Sequence, residues 1–177
     1  MLENIYFIGL MGAGKTTIGR MIAKQTGLTF YDSDHEIEKK TGVKIPLIFE
    51  LEGEAGFRKR EAYAIAELCQ LNNIVLATGG GAVLLPENRA HLKAGGSIIY
   101  LRGQVEDLWH RTRHDKSRPL LQGVNMREKL AQLYQIRDPI YTALADFVVN
   151  TGNQSTQEIV DEVSKHLHLK KNKSLAK

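Results

Sequence analysis

Gly9-Leu-Met-Gly-Ala-Gly14-Lys15-Thr16 places a lysine and a hydroxyl behind glycines at the spacing G-x-x-x-x-G-K-[ST]. Such glycines let the backbone wind into a ring of inward-pointing N–H groups. Those donors, with the positive end of the helix that follows, hold phosphate oxygens. Lys15 has the length to reach β- and γ-phosphates, and Thr16 offers a hydroxyl to Mg²⁺. The stretch lies between an apolar run, Asn4 to Gly9, and a run of helical period from Lys15 to Thr26, which is the context this chemistry needs. A phosphate cradle by itself does not separate kinases from hydrolases or switches.

Other residues narrow the reading. Asp32-Ser33-Asp34 follows a short strand and precedes a helix. One carboxylate could hold a metal-bound water while the other accepts a proton from an attacking hydroxyl. Asp34 fits a helix cap equally well, and Ser33 with Glu36 fits a capping box. Gly79-Gly80-Gly81 strips every side chain from one patch and is expected to form a wall that a ligand touches through backbone. Arg58, a turn before Glu61, and Arg137, before Asp138-Pro139, carry planar guanidinium groups suited to a carboxylate. Taken singly, each is more often a solvated surface arginine. The loop from Thr112 to Asn125 holds Arg113, His114, Lys116 and Arg118, a basic segment able to cover a nucleotide site. His35, His91, His110, His114, His166 and His168 show no metal-ligand spacing.

The elements that must position these residues alternate. Strands are expected at Asn4 to Gly9, Thr29 to Tyr31, Ile74 to Thr78, Ser97 to Leu101 and Asp146 to Asn150. Helices are expected at Lys15 to Thr26, Asp34 to Thr41, Pro46 to Leu51, Glu54 to Leu71, Pro86 to Lys93, Val105 to Arg111, Met126 to Leu144 with a bend at Pro139, and Ser155 to His168. Gly95-Gly96 reads as a turn. Short apolar strands between helices mean a parallel sheet covered on both faces, with ligands beyond the carboxyl ends of its strands.

The chain has 177 residues, enough for one domain with a sizeable core. Of its 24 Lys and Arg, four (Lys170, Lys171, Lys173, Lys177) lie in the last nine residues, leaving 20 against 20 Asp and Glu. The basic character therefore belongs to a tail, read as a solvated end at 169–177 and not a nucleic-acid arm. Cys69 is the single cysteine, which excludes an intrachain disulfide and a cysteine-built zinc site. It is expected on the apolar face of a helix. No secretory signal and no bilayer-length apolar run stand out, so the expected location is the cytoplasm.

Several segments together resemble the shikimate kinase family over nearly the whole length: GLMGAGKTTIGR (Gly9 to Arg20), DSD (Asp32 to Asp34), GEAGFRKRE (Gly53 to Glu61), ATGGGAV (Ala77 to Val83), SRPLL (Ser117 to Leu121) and RDPIY (Arg137 to Tyr141). The resemblance implies an α/β fold: a P-loop three-layer sandwich with a central five-stranded parallel sheet, helices on both faces and a mobile lid near 112–125, in one domain spanning 1–168. It implies transfer of a phosphoryl group from ATP, with Mg²⁺, to the 3-hydroxyl of shikimate. Asp34, Arg58, Gly79, Gly80, Gly81 and Arg137 would meet shikimate, with Glu61 orienting Arg58 and Asp34 acting as base. Gly12, Ala13, Gly14, Lys15, Thr16 and Thr17 would hold phosphates, with Thr16 on Mg²⁺ and Asp32 reaching it through water. Arg118 would be the lid arginine. Arg111 and the turn from Asn150 to Ser155, Gln154 included, would flank adenine. ATP and shikimate would be the partners of a monomer, with no nucleic acid or membrane. The alternatives are a kinase of the same fold acting on another metabolite, such as gluconate, and a catalytically silent nucleotide-binding module.

Overall fold

The computed structural model describes residues 3–115, 119–121 and 125–168. Arg118 and the basic tail at 169–177 lie outside the described residues. Strands β1 (Asn4–Ile8), β2 (Thr29–Asp32), β3 (Ile74–Ala77), β4 (Gly96–Arg102) and β5 (Phe147–Asn150) form one parallel sheet in the order β2-β3-β1-β4-β5. Parallel neighbours require crossovers. Helices α1 (Lys15–Thr26), α2 (Ser33–Thr41), α3 (Ile45–Leu68), α4 (Pro86–Gly95), α5 (Val105–Thr112), α6 (Met126–Leu144) and α7 (Thr156–His166) supply them.

Every residue of β1 and β3 is buried, so both sheet faces are covered. The strand register assigns the layers. Val75 pairs with Ile5 and Phe30, and α1 packs on that face, with Gly19 against Phe30 and Val75. Phe7, Ile99 and Phe147 share the same face, where the Phe147 ring stacks on His166 of α7 at 3.8 Å. Ile8 and Tyr100 point the other way, and Tyr100 meets Tyr141 of α6 with centroids 4.9 Å apart. Helix, sheet and helix thus make three layers. The main core surrounds the sheet, while Ile37, Ile48, Phe57 and Ala64 form a separate small core beneath α2 and α3.

Some boundaries differ from those read in the sequence. The two helices expected at Pro46 to Leu51 and Glu54 to Leu71 abut as one run, α3, interrupted at Gly53 (φ 68°, ψ −179°). Positive φ is open to glycine at little cost, so the chain changes direction there without a loop. Gly95-Gly96 is no turn: α4 passes directly into β4. Helix α6, by contrast, keeps the bounds expected from the sequence, with Pro139 inside it. Cys69 sits just past α3 as its C-cap, half-buried against the core, and burial pushes its thiol up to about 11. A 3-10 turn, Pro119–Leu121, lies within the stretch expected to be a loop.

Candidate active site

The carboxyl ends of β1, β2 and β3 converge on a cleft of about 1040 Å³. The phosphate-loop sequence occupies the β1 end. Gly14 (φ 95°) precedes α1, whose first turn has no side-chain cap. Lys15 Nζ folds back over the loop and donates to the carbonyls of Gly9 (2.7 Å) and Leu10 (2.9 Å). Thr16 Oγ1 donates to Asp32 Oδ2 at 2.7 Å, which joins the first helical turn to the end of β2.

Asp32 also settles what caps α2. Its Oδ1 accepts the N–H groups of Asp34 (3.1 Å) and His35 (3.3 Å). Ser33 forms no capping box; its Oγ accepts the Gly79 N–H at 2.8 Å and locks β2 to the triglycine segment. Asp34 is therefore spared the capping role and lines the cleft. Thr16 and Asp32 present two hard oxygen donors side by side. That set suits Mg²⁺, which takes one or two protein ligands and completes its shell with phosphate and water. Among the described residues no group of three His, Cys, Asp or Glu forms an all-protein metal cage.

The triglycine segment receives the charged side chains of the other end. A methyl on Gly79 would lie 2.5 Å from Glu61 Oε1 and 2.7 Å from Asp34 Oδ1. One on Gly81 would overlap both terminal nitrogens of Arg58. One on Gly80 would lie 3.4 Å from Arg137 Nη1. The sequence reading assigned these glycines to a ligand; at Gly79 and Gly81 the structure also gives their bareness to three protein side chains that need the space, Asp34, Glu61 and Arg58, while a methyl on Gly80 would meet Arg137 at ordinary contact distance. Arg58 Nη1 donates to Glu61 Oε2 at 2.6 Å and Nη2 to Glu54 Oε1 at 3.0 Å. Burial works against the charge on Arg58, yet Glu61 and Glu54 hold its pKa above the ordinary value. Glu61 is fully buried, and burial raises its carboxyl to about 7 although Arg58 pulls the other way. Arg137 is 3% exposed, and its Nη1 has no hydrogen-bond partner among the described residues. A buried, unsatisfied guanidinium nitrogen costs free energy unless a ligand oxygen meets it. Neither arginine is a solvated surface group.

At the far end of the cleft Arg111 bridges two loops, donating to the carbonyls of Gly12 (3.2 Å) and Thr151 (3.4 Å). Gln154 lines the same region and donates to Glu162 Oε2 at 3.0 Å. Gly12, Ala13 and Thr17 line the cleft too. The described residues expected at the phosphate, metal and acceptor ends are thus brought to one cavity with Arg111 and Gln154, whereas Arg113, His114 and the rest of the turn from Asn150 to Ser155 do not line it; Arg118 is outside the described residues. Sequence reasoning missed the apolar wall of Ile45, Pro46, Phe49 and Phe57, where the two rings lie 4.7 Å apart. The spacing of Ile45 and Phe49 by one helical turn was its only signal. It also missed Ser33 and Tyr141, which act on backbone atoms that no spacing reveals.

A family model described as "Shikimate kinase" matches residues 11–168. The chain is 65% identical over 153 residues to a shikimate kinase of Thiobacillus denitrificans, covering 86% of this chain and 84% of that one. It is 57% identical over 166 residues to one from Burkholderia lata, covering 94% and 90%. Among solved structures, shikimate kinase from Acinetobacter baumannii in complex with shikimate superposes with a TM-score of 0.93 at 47% identity, covering 95% of this chain and 94% of that one.

Proposed function

The chain belongs to the shikimate kinase family and catalyses the ATP-dependent phosphorylation of shikimate, and we propose how the residues of its cleft divide that reaction. The products are ADP and shikimate 3-phosphate, on the route to chorismate and the aromatic amino acids. The amides from Gly12 to Thr17 and the Lys15 ammonium take the ATP phosphates. Thr16, and Asp32 through water, would hold Mg²⁺, whose charge would neutralise the phosphate oxygens. Arg58 and Arg137 grip the shikimate carboxylate from two elements, and Glu61 holds Arg58 in place. Asp34 accepts the proton of the 3-hydroxyl as that oxygen attacks the γ-phosphorus. Phosphoryl transfer needs positioning and charge balance more than covalent help, and these groups supply both. Arg111 and the turn from Asn150 to Ser155 would flank adenine, and Arg118, outside the described residues, would add its charge to the phosphate end.

The observation that carries this reading is the meeting of Asp34, Arg58 and Arg137 on the triglycine segment, in the same cleft as the phosphate loop. All of these groups come from one chain, which supports a monomeric enzyme. Its consumption of ATP supports a cytoplasmic setting, and the charge balance outside the tail supports a protein without nucleic-acid or membrane partners. Among the described residues no helix is long and apolar enough to cross a membrane. The test is ADP release, followed with a coupled assay across shikimate, gluconate, nucleoside monophosphates and no acceptor. Turnover is expected with shikimate alone; equal or faster turnover with gluconate would overturn the acceptor assignment, and acceptor-independent release would replace the kinase with a hydrolase.

A further inference from the structure

We propose that Tyr141 is a positioning residue for the acceptor end of this reaction: its buried hydroxyl fixes the Gly80 carbonyl, and with it the direction of the Gly80–Gly81 peptide on which Arg58 and Arg137 are assembled. The inference rests on the function given above. Tyr141 is fully buried on α6, and its hydroxyl donates to Gly80 O. Its ring is already held by Tyr100 of β4, with centroids 4.9 Å apart. A phenylalanine would fill that space as well, so core packing accounts for the ring and leaves the hydroxyl without a packing role.

The bond reaches the one point where the acceptor machinery has no other described tether. Gly79 is held at its N–H by Ser33, and Ala82 N–H returns to Gly79 O at 3.1 Å. Among the described residues, the Gly80 carbonyl has Tyr141 for its partner. In a trans peptide the carbonyl of one residue and the N–H of the next point in opposite directions. Holding Gly80 O toward α6 therefore turns the Gly81 N–H away from it. Arg137 lies one turn before Tyr141 on the same helix, so the two side chains reach the same glycine. Tyr100 and Arg102 fasten that helix to β4, donating to Asp138 Oδ1 at 2.8 and 2.9 Å. The phenol oxygen is within electrostatic reach of Arg137, Glu61 and Arg58. Without the hydroxyl, the Gly80–Gly81 peptide is free to rotate under a carboxylate-binding pair that needs it fixed.

The test is steady-state kinetics of Tyr141→Phe beside Tyr6→Phe. Tyr6 is an equally buried tyrosine whose hydroxyl bonds Asn4 at the amino end of the sheet, away from the cleft. The KM for shikimate is expected to rise about tenfold in Tyr141→Phe, the effect of one hydrogen bond. Its KM for ATP should stay within about twofold, and Tyr6→Phe should leave both constants at parent values. Should the Phe variant fail to fold, Tyr141→Met fills the space without a ring and carries the same expectation. An unchanged shikimate KM, even with a lowered melting temperature, would make the hydroxyl merely structural and overturn the proposal. Equal losses for ATP and shikimate would overturn it as well. A parent enzyme inert toward shikimate would instead overturn the functional reading itself.

Discussion

At the scale of single residues, the site separates two carboxylates that stand two positions apart. Asp32 spends its oxygens on Thr16 and on the first N–H groups of α2, so it is committed to the phosphate end. Asp34, relieved of capping, abuts Gly79 in the cleft. Asp34→Asn keeps the shape and leaves the helix cap intact. The variant is expected to keep its KM for ATP within about twofold while kcat with saturating shikimate falls at least about 100-fold, the usual worth of a positioned general base. Parent-like turnover of shikimate in the coupled assay would remove Asp34 from that role. The residue types were legible in the sequence. Whether Asp34 caps the helix was not, because capping and lining the cleft use the same side chain at the same spacing, and only the direction of Asp32, which takes the cap, decides it.

At the scale of elements, the triglycine segment after β3 is a seat for side chains from α2, α3 and α6. Gly81 has φ −90°, a conformation open to alanine, and the atoms a methyl would meet are the far end of the flexible Arg58 side chain. Gly81→Ala should therefore fold. Its melting temperature is expected within about 4 °C of the parent, the shift of about 1 kcal/mol in a chain of this size. Its shikimate KM should rise about tenfold or more because Arg58 is pushed off its carboxylate partner. Unchanged kinetics would mean that the arginine's position does not matter to the acceptor. Run lengths and periods located the strands and most helices, since apolar alternation and capping are local. They failed at Gly95-Gly96, where α4 runs straight into β4 and the surrounding packing sets how the chain passes from one element to the next.

At the scale of the molecule, Glu61 ties the site to overall stability. Its carboxyl is raised from an ordinary 4.5 to about 7 by burial in the fold. Below pH 4.5 both folded and unfolded chains hold this proton. As pH rises toward 7 the unfolded chain releases it first, so stability falls across that window and levels off above it. Denaturant midpoints measured from pH 4.5 to 8 should fall more steeply for the parent than for Glu61→Gln, a divergence on the order of 1–3 kcal/mol. Parallel curves would show that Glu61 stays ionised in the folded state throughout. The sequence alone determined the chemistry available and the fold class, because a phosphate loop is a local backbone device and strand–helix alternation is a local pattern. It also held the two arginines proposed to grip a carboxylate. Only the tertiary structure decided that Asp34, Arg58, Glu61 and Arg137, spread over about a hundred positions of sequence, meet on three bare glycines. Their convergence comes from the sheet order, which no local pattern encodes.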